Sequence, residues 1–215
     1  MKYDMRCKVF CFAFSKLLKE YYQNEEPETD VALILKAVKE EYKAMILRTP
    51  ALSKDNLMAS NLQGAAYFFA MAKKIPDMTP EKMDHLILVS MQSDFMKNMK
   101  KKERESGKMF TEKEQEKMYR DSLRSQKSED EMDWRFTYEK GNNEVKYTMT
   151  KCGVCRLAER ENCMEYLPCM CGMDYPKYAL VGARLERTKT LAKHDECCDF
   201  HLIRMTEEEM KEKNL

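Results

Sequence analysis

Apolar residues recur at steps of three and four through the first 125 residues, so this part of the chain reads as a series of amphipathic helices. Phe10, Phe14, Leu17 and Tyr21, flanked by Val9, Ala13 and Leu18, predict a helix over 3–21, with Cys7 and Cys11 in its core or on its flank. Glu25-Glu26-Pro27-Glu28 breaks it, Thr29 or Asp30 can cap a second helix over 31–47, and Thr49-Pro50 stops that one. A helix of small residues follows over 57–74, and its Gly64-Ala65-Ala66 step is expected to admit a close neighbour. Thr79 as cap and Pro80 at the first helical position open a fourth helix, over 82–99. A charged connector is expected at 100–107, a very polar helix at 110–123 and a solvent-facing linker at 125–131.

The period then changes from 3.6 to 2. Trp134, Phe136 and Tyr138 alternate with polar residues. After Gly141-Asn142-Asn143, so do Val145, Tyr147 and Met149, which is a β-hairpin with one apolar face. Helical pattern resumes at 154–161 and 164–181, where Pro168 and Pro176 keep the second helix short or broken. Strands at 183–191 and 197–205, joined by a turn at Lys193-His194-Asp195, complete the pattern, and the tail is at best a frayed charged helix. The expected fold is α+β: a helical N-terminal half packed on a four-stranded antiparallel sheet with two inserted helices. The regions are 1–130, helical; 131–205, α+β and cysteine-rich; and 206–215, a charged tail, all expected to form one integrated domain.

Charge adds little to this picture and excludes some functions. Lysine plus arginine (38) nearly cancels aspartate plus glutamate (37), so nothing calls for nucleic acid or an anionic surface. The short apolar centre of the N-terminus is interrupted by Asp4, Arg6 and Lys8, which argues against a signal peptide. No stretch approaches the roughly 18 apolar residues of a membrane span. A soluble, cytoplasmic protein is expected. Its 19 methionines suit an adaptable helical core, and its long N-terminal helices would suit a homodimer.

Nine cysteines, seven of them from Cys152 onward, bring in chemistry. Cys152-x-x-Cys155 and Cys169-x-Cys171 are pairs of thiolates that Cys197 or Cys198 could complete as a metal site. The spacings of CxC and CC suit a zinc ribbon poorly, and buried thiols or reactive thiols account for the same residues. No cofactor is expected, and a divalent metal is the addition that these pairs would allow. The three histidines make no metal motif, and no phosphate loop, nucleophile elbow or dinucleotide fingerprint is present.

The helix begun at Cys152, the segment CMCGMDY ending at Tyr175, the run LERTKTLA from Leu185 and the closing Cys198-Asp199-Phe200 together resemble the L-2-amino-thiazoline-4-carboxylic acid hydrolase family. Weaker helical similarity extends the resemblance to roughly 38–205. Lys193-His194-Asp195-Glu196 stands where a glycine-containing turn would be expected. The closing pattern is also similar to vinyl-reductase-type small-ligand domains.

The resemblance implies a hydrolase that opens a cyclic amidine or thiazoline ring on a small carboxylate substrate. A protonated aminothiazoline is cationic, so Asp174 would hold its N–C–N edge or orient water. Cys171 and Cys198 are catalytic candidates, with a thiolate nucleophile as the less favoured form, and Cys155 would line the pocket. Simple alternation places Arg187 and Lys189 on one strand face and Thr188 and Thr190 on the other. Arg187 would grip the carboxylate, with Thr188 and Lys189 as further binding candidates. Asp199 reads as structural. The alternative is a binding module of the same fold, responsive to a small ligand, a metal or redox state, without turnover.

Overall fold

The computed structural model describes residues 1–215, and the chain threads back and forth between two compact units. The first comprises Met1–Ser90, Asp130–Met132 and Gly153–Met170; the second comprises Met91–Glu129, Asp133–Cys152 and Cys171–Leu215. No helix is long and apolar enough to cross a membrane.

The first unit is helical. Asp4 caps α1, Met5–Glu25, by accepting from Cys7 N at 3.1 Å, and Asp30 caps α2, Val31–Arg48, by accepting from Ala32 N at 3.1 Å. The central helix is α3, Ala59–Lys74, buried at every position from Leu62 to Met71 and packed by α1, α2 and the later α7, Gly153–Glu161. Small residues let these neighbours approach from all sides. The glycine itself is not essential to this, because a Cβ on Gly64 would meet only the Phe10 ring, at 3.9 Å. Glu161, only 7% exposed, accepts from Arg48 Nε at 2.9 Å and Lys73 Nζ at 2.9 Å, tying α7 to α2 and α3.

The helix expected over 82–99 is two helices, α4, Pro80–Gln92, and α5, Asp94–Glu105. Ser93 breaks the run by capping Met96 N at 3.3 Å. The expected connector at 100–107 is instead mostly helix, because Lys, Glu and Arg are strong helix formers and Lys100 and Glu103 pair at 3.0 Å. Gly107, at φ +56°, ends the helix.

The second unit holds the sheet: β1, Arg135–Lys140; β2, Glu144–Lys151; β3, Ala183–Glu186; and β4, Cys198–Arg204. All neighbours are antiparallel, in the order β1-β2-β4-β3. Its inner face carries Phe136, Tyr138, Val145, Tyr147, Met149, Leu185, Cys198, Phe200 and Leu202, as the period of two requires. Helix α6, Glu112–Ser125, packs against β1. This polar helix buries Gln115 and Ser125 by satisfying the sheet. Gln115 clamps Gly141, accepting from its N at 3.0 Å and donating to its O at 2.9 Å, and Ser125 Oγ bonds both N and O of Phe136 at 3.1 Å.

The expected helix over 164–181 is a 3-10 turn at Met164–Tyr166 followed by two short helices, α8, Leu167–Gly172, and α9, Asp174–Ala179. The expected strand over 183–191 ends at Glu186. The tail is better formed than expected: α10, Glu207–Glu212, has a full capping box between Thr206 and Glu209.

Candidate functional site

Three elements of the second unit converge on one side chain, Arg187. The pleat of β3 turns Ala183 and Leu185 inward, and Arg187, one residue past the strand end, keeps that parity. Its side chain is 3% exposed. Nη1 donates to Asp174 Oδ2 at 3.0 Å, and Nη2 donates to the Cys171 carbonyl at 2.7 Å. The guanidinium lies 4.9 Å from the Phe200 ring centre and 5.3 Å from that of Tyr175. Nε is buried and has no hydrogen-bond partner.

Asp174 opens α9, which packs on β3, and it stands between two cations. Its second oxygen accepts from Lys177 Nζ, one turn along the same helix, at 3.1 Å. One carboxylate thus faces two cations, and the cluster is net positive. Burial works against the charge on Arg187 and Lys177, but Asp174 outweighs it and holds both above their ordinary values.

Beside this cluster lies an aromatic row set by strand register. Tyr138 pairs with Tyr147 across β1 and β2, and Tyr147 with Phe200 across β2 and β4. The Tyr147 and Phe200 rings stack with centres 4.3 Å apart. The Tyr147 hydroxyl is hydrogen-bonded to that of Tyr178, which α9 carries one turn beyond Asp174. Burial pushes both phenols above the ordinary tyrosine value, so both stay protonated.

Cys171 and Cys198 belong to the same neighbourhood. Burial pushes the Cys171 thiol up to about 12, with Asp174 adding to the shift and Arg187 opposing it. Burial likewise raises Cys198 to about 11, against the opposing hydrogen bond from Leu191 N to its Sγ at 3.2 Å. Neither is a thiolate at neutral pH.

Thr188 and Lys189 are placed differently from Arg187. Asp199 captures the chain as it leaves β3, accepting from Thr188 N at 3.0 Å, Thr188 Oγ1 at 2.6 Å and Lys189 N at 2.5 Å. Alternation therefore stops, and Lys189, which it would have turned inward with Arg187, is 46% exposed and paired with Glu196 at 2.5 Å. Asp199 is a latch for this loop. Cys155 lies on α7, which belongs to the first unit.

The metal candidates are divided in the same way: Cys155 and Cys169 belong to the first unit, and Cys152 and Cys171 to the second. No three His, Cys, Asp or Glu side chains are grouped so as to hold a metal ion, and none of the nine cysteines forms a disulfide. Cys169 donates to the Pro80 carbonyl at 3.5 Å.

A family model described as L-2-amino-thiazoline-4-carboxylic acid hydrolase matches residues 56–202, more than half of the chain. The chain belongs to this hydrolase family. No curated protein and no solved structure matches it significantly. The family match takes in all of the Arg187 cluster and leaves α1 and α2 outside.

Reading the sequence alone finds Asp174, Arg187, Cys171 and Cys198, and the fold brings these together. It misses Lys177, Tyr178 and Tyr147. The first two carried a usable signal, because positions three and four after Asp174 share its helix face. Tyr147 carried only the alternation of an ordinary core residue.

Proposed function

We propose that the second unit binds a small cyclic carboxylate with an amidine-like edge and opens the ring with water. The substrate named by the family, L-2-amino-thiazoline-4-carboxylate, fits this description. The observation that carries the reading is the buried, orphaned Nε of Arg187 in a net-positive cluster. A guanidinium has five N–H groups, and an unpaired one in such a place favours a planar oxyanion. The substrate carboxylate would take Nε–H and a neighbouring Nη–H.

Asp174 has lone pairs beyond the two that its cations occupy. These would accept from the amidine edge or from the attacking water. Water oxygen would bond to the ring carbon between nitrogen and sulfur, the carbon–sulfur bond would break, and sulfur would leave with the bonding pair and take a proton. The product is a carbamoyl-cysteine. With both nearby thiols protonated, this route uses water as nucleophile in preference to Cys171 or Cys198.

One observation favours a second reading. Arg187 and Asp174 already bond each other, as a purely structural ion pair would, and a binding module without turnover would keep that arrangement. The deciding experiment incubates the purified, reduced protein with L-2-amino-thiazoline-4-carboxylate, with and without added divalent metal, and follows substrate loss and carbamoyl-cysteine by mass spectrometry. Turnover is expected, and Arg187→Ala is expected to raise KM about tenfold or more. Substrate binding by calorimetry with no product under either condition would replace the hydrolase with the binding module.

A further inference from the structure

The Tyr147–Tyr178 pair is the part of the cluster that the proposed hydrolysis leaves without a role, and the departing sulfur ends the reaction as a thiol, so a proton has to reach it. Two hydroxyls that bond each other hold two hydrogens and use one between them. The second remains to be donated outward. Of the two side chains, Tyr147 is buried and stacked on Phe200, with its hydroxyl engaged by Tyr178. Tyr178 is half-buried and shares α9 with Asp174 and Lys177. Its ring also meets the Phe200 edge, with centres 6.4 Å apart, on the residue over which Arg187 lies.

We propose that Tyr178 is the general acid of the ring opening, and that Tyr147 is the positioning residue that orients its hydroxyl and steadies the phenolate it becomes. The proposal rests on the hydrolase reading above. In the step itself, water oxygen forms its bond to the ring carbon and the carbon–sulfur bond breaks. Sulfur keeps the bonding pair and receives the Tyr178 proton. One proton of the attacking water passes to Asp174 and returns through solvent to Tyr178, the other moves from the new hydroxyl to the ring nitrogen as the carbonyl forms, and the net change is the addition of one water. The phenolate is stabilised by the Tyr147 hydroxyl and by Lys177, whose Nζ lies 5.1 Å from the Tyr178 ring centre. Burial keeps Tyr178 protonated across the neutral range but weakens it as an acid, and Lys177 and the hydrogen bond with Tyr147 oppose that shift.

The test compares wild type, Tyr178→Phe, Tyr147→Phe and the double variant on L-2-amino-thiazoline-4-carboxylate, with folding checked by Trp134 fluorescence and substrate affinity measured by calorimetry. Tyr178→Phe should lower kcat by about 100-fold while KM and Kd stay within about threefold. Tyr147→Phe should lower kcat by about tenfold with KM unchanged, and the double variant should be no slower than Tyr178→Phe alone, because the pair acts as a unit. A folded Tyr178→Phe with kcat near wild type, while wild type turns over, overturns the acid and leaves the hydrolase standing. Wild type without turnover removes the hydrolase reading and the acid with it. Should Tyr178→Phe fail to fold, Tyr147→Phe decides, and full activity in that variant overturns the proposal.

Discussion

The Arg187–Asp174 pair makes an asymmetric prediction about stability. Asp174→Ala leaves a 3%-exposed guanidinium with no counter-charge and the Cys171 carbonyl as its remaining hydrogen-bond partner. Removing one member of a buried ion pair in this way costs about 3–5 kcal/mol, because the other charge stays desolvated. The Lys177 contact adds little, since Lys177 is 41% exposed and screened by water. Arg187→Met differs: Asp174 still has Lys177 at 3.1 Å, so no charge is orphaned, and the methionine stem can keep packing on Phe200. The loss is then two hydrogen bonds, to Asp174 and the Cys171 carbonyl, and two cation–ring contacts, offset in part because no guanidinium has to be desolvated, about 1–2 kcal/mol net. Urea unfolding followed by Trp134, the single tryptophan and a buried residue of the same unit, reads the difference directly. With a slope of about 2 kcal/mol per molar urea, the midpoint should fall by about 1.5–2.5 M for Asp174→Ala and by about 0.5–1 M for Arg187→Met. The double variant should lose less than the sum. Equal midpoint shifts, or a larger one for Arg187→Met, would refute the argument that Arg187 is the dependent partner.

Two further expectations concern the cysteines near that pair and Glu161 of the first unit. Cys171→Ser and Cys198→Ser should each keep kcat within about threefold of wild type, since their thiols stay protonated near neutrality; a loss of about 1,000-fold in either would make that cysteine a nucleophile. Arg48 and Lys73 outweigh burial and hold Glu161 below the ordinary glutamate value, so its contribution to stability is present above the unfolded pKa and is lost as pH falls through the lower folded one. The stability of Glu161→Gln should therefore fall less steeply than that of wild type below about pH 4.3, as measured by urea midpoints across an acid series, and parallel curves would contradict this.

Periodicity in the chain was enough to establish the α+β class, the four antiparallel strands and most helix positions, because each element needs only its own spacing of apolar residues and a local cap or breaker. Asp30, Thr79 and the Gly141-Asn142-Asn143 turn all act within a few residues of themselves. The same locality carried Asp174 and Arg187 as candidates, through a charged residue in an apolar context and a family-like motif.

Other features depended on residues distant in the sequence. Gln115 falls in a helix that reads as very polar and Ser125 at the start of a linker expected to face solvent, yet both are buried because the sheet presents Gly141 and Phe136 for them to satisfy. Lys189 is turned outward, against alternation, because Asp199 on the next strand takes the backbone hydrogens of residues 188 and 189. Tyr147 and Tyr178 are 31 residues apart and meet only when β2 and α9 are in place. Local spacing thus decided which elements form. Tertiary packing decided which polar groups lose water and which partners compensate them, and so it completed the membership of the candidate site and set its charge.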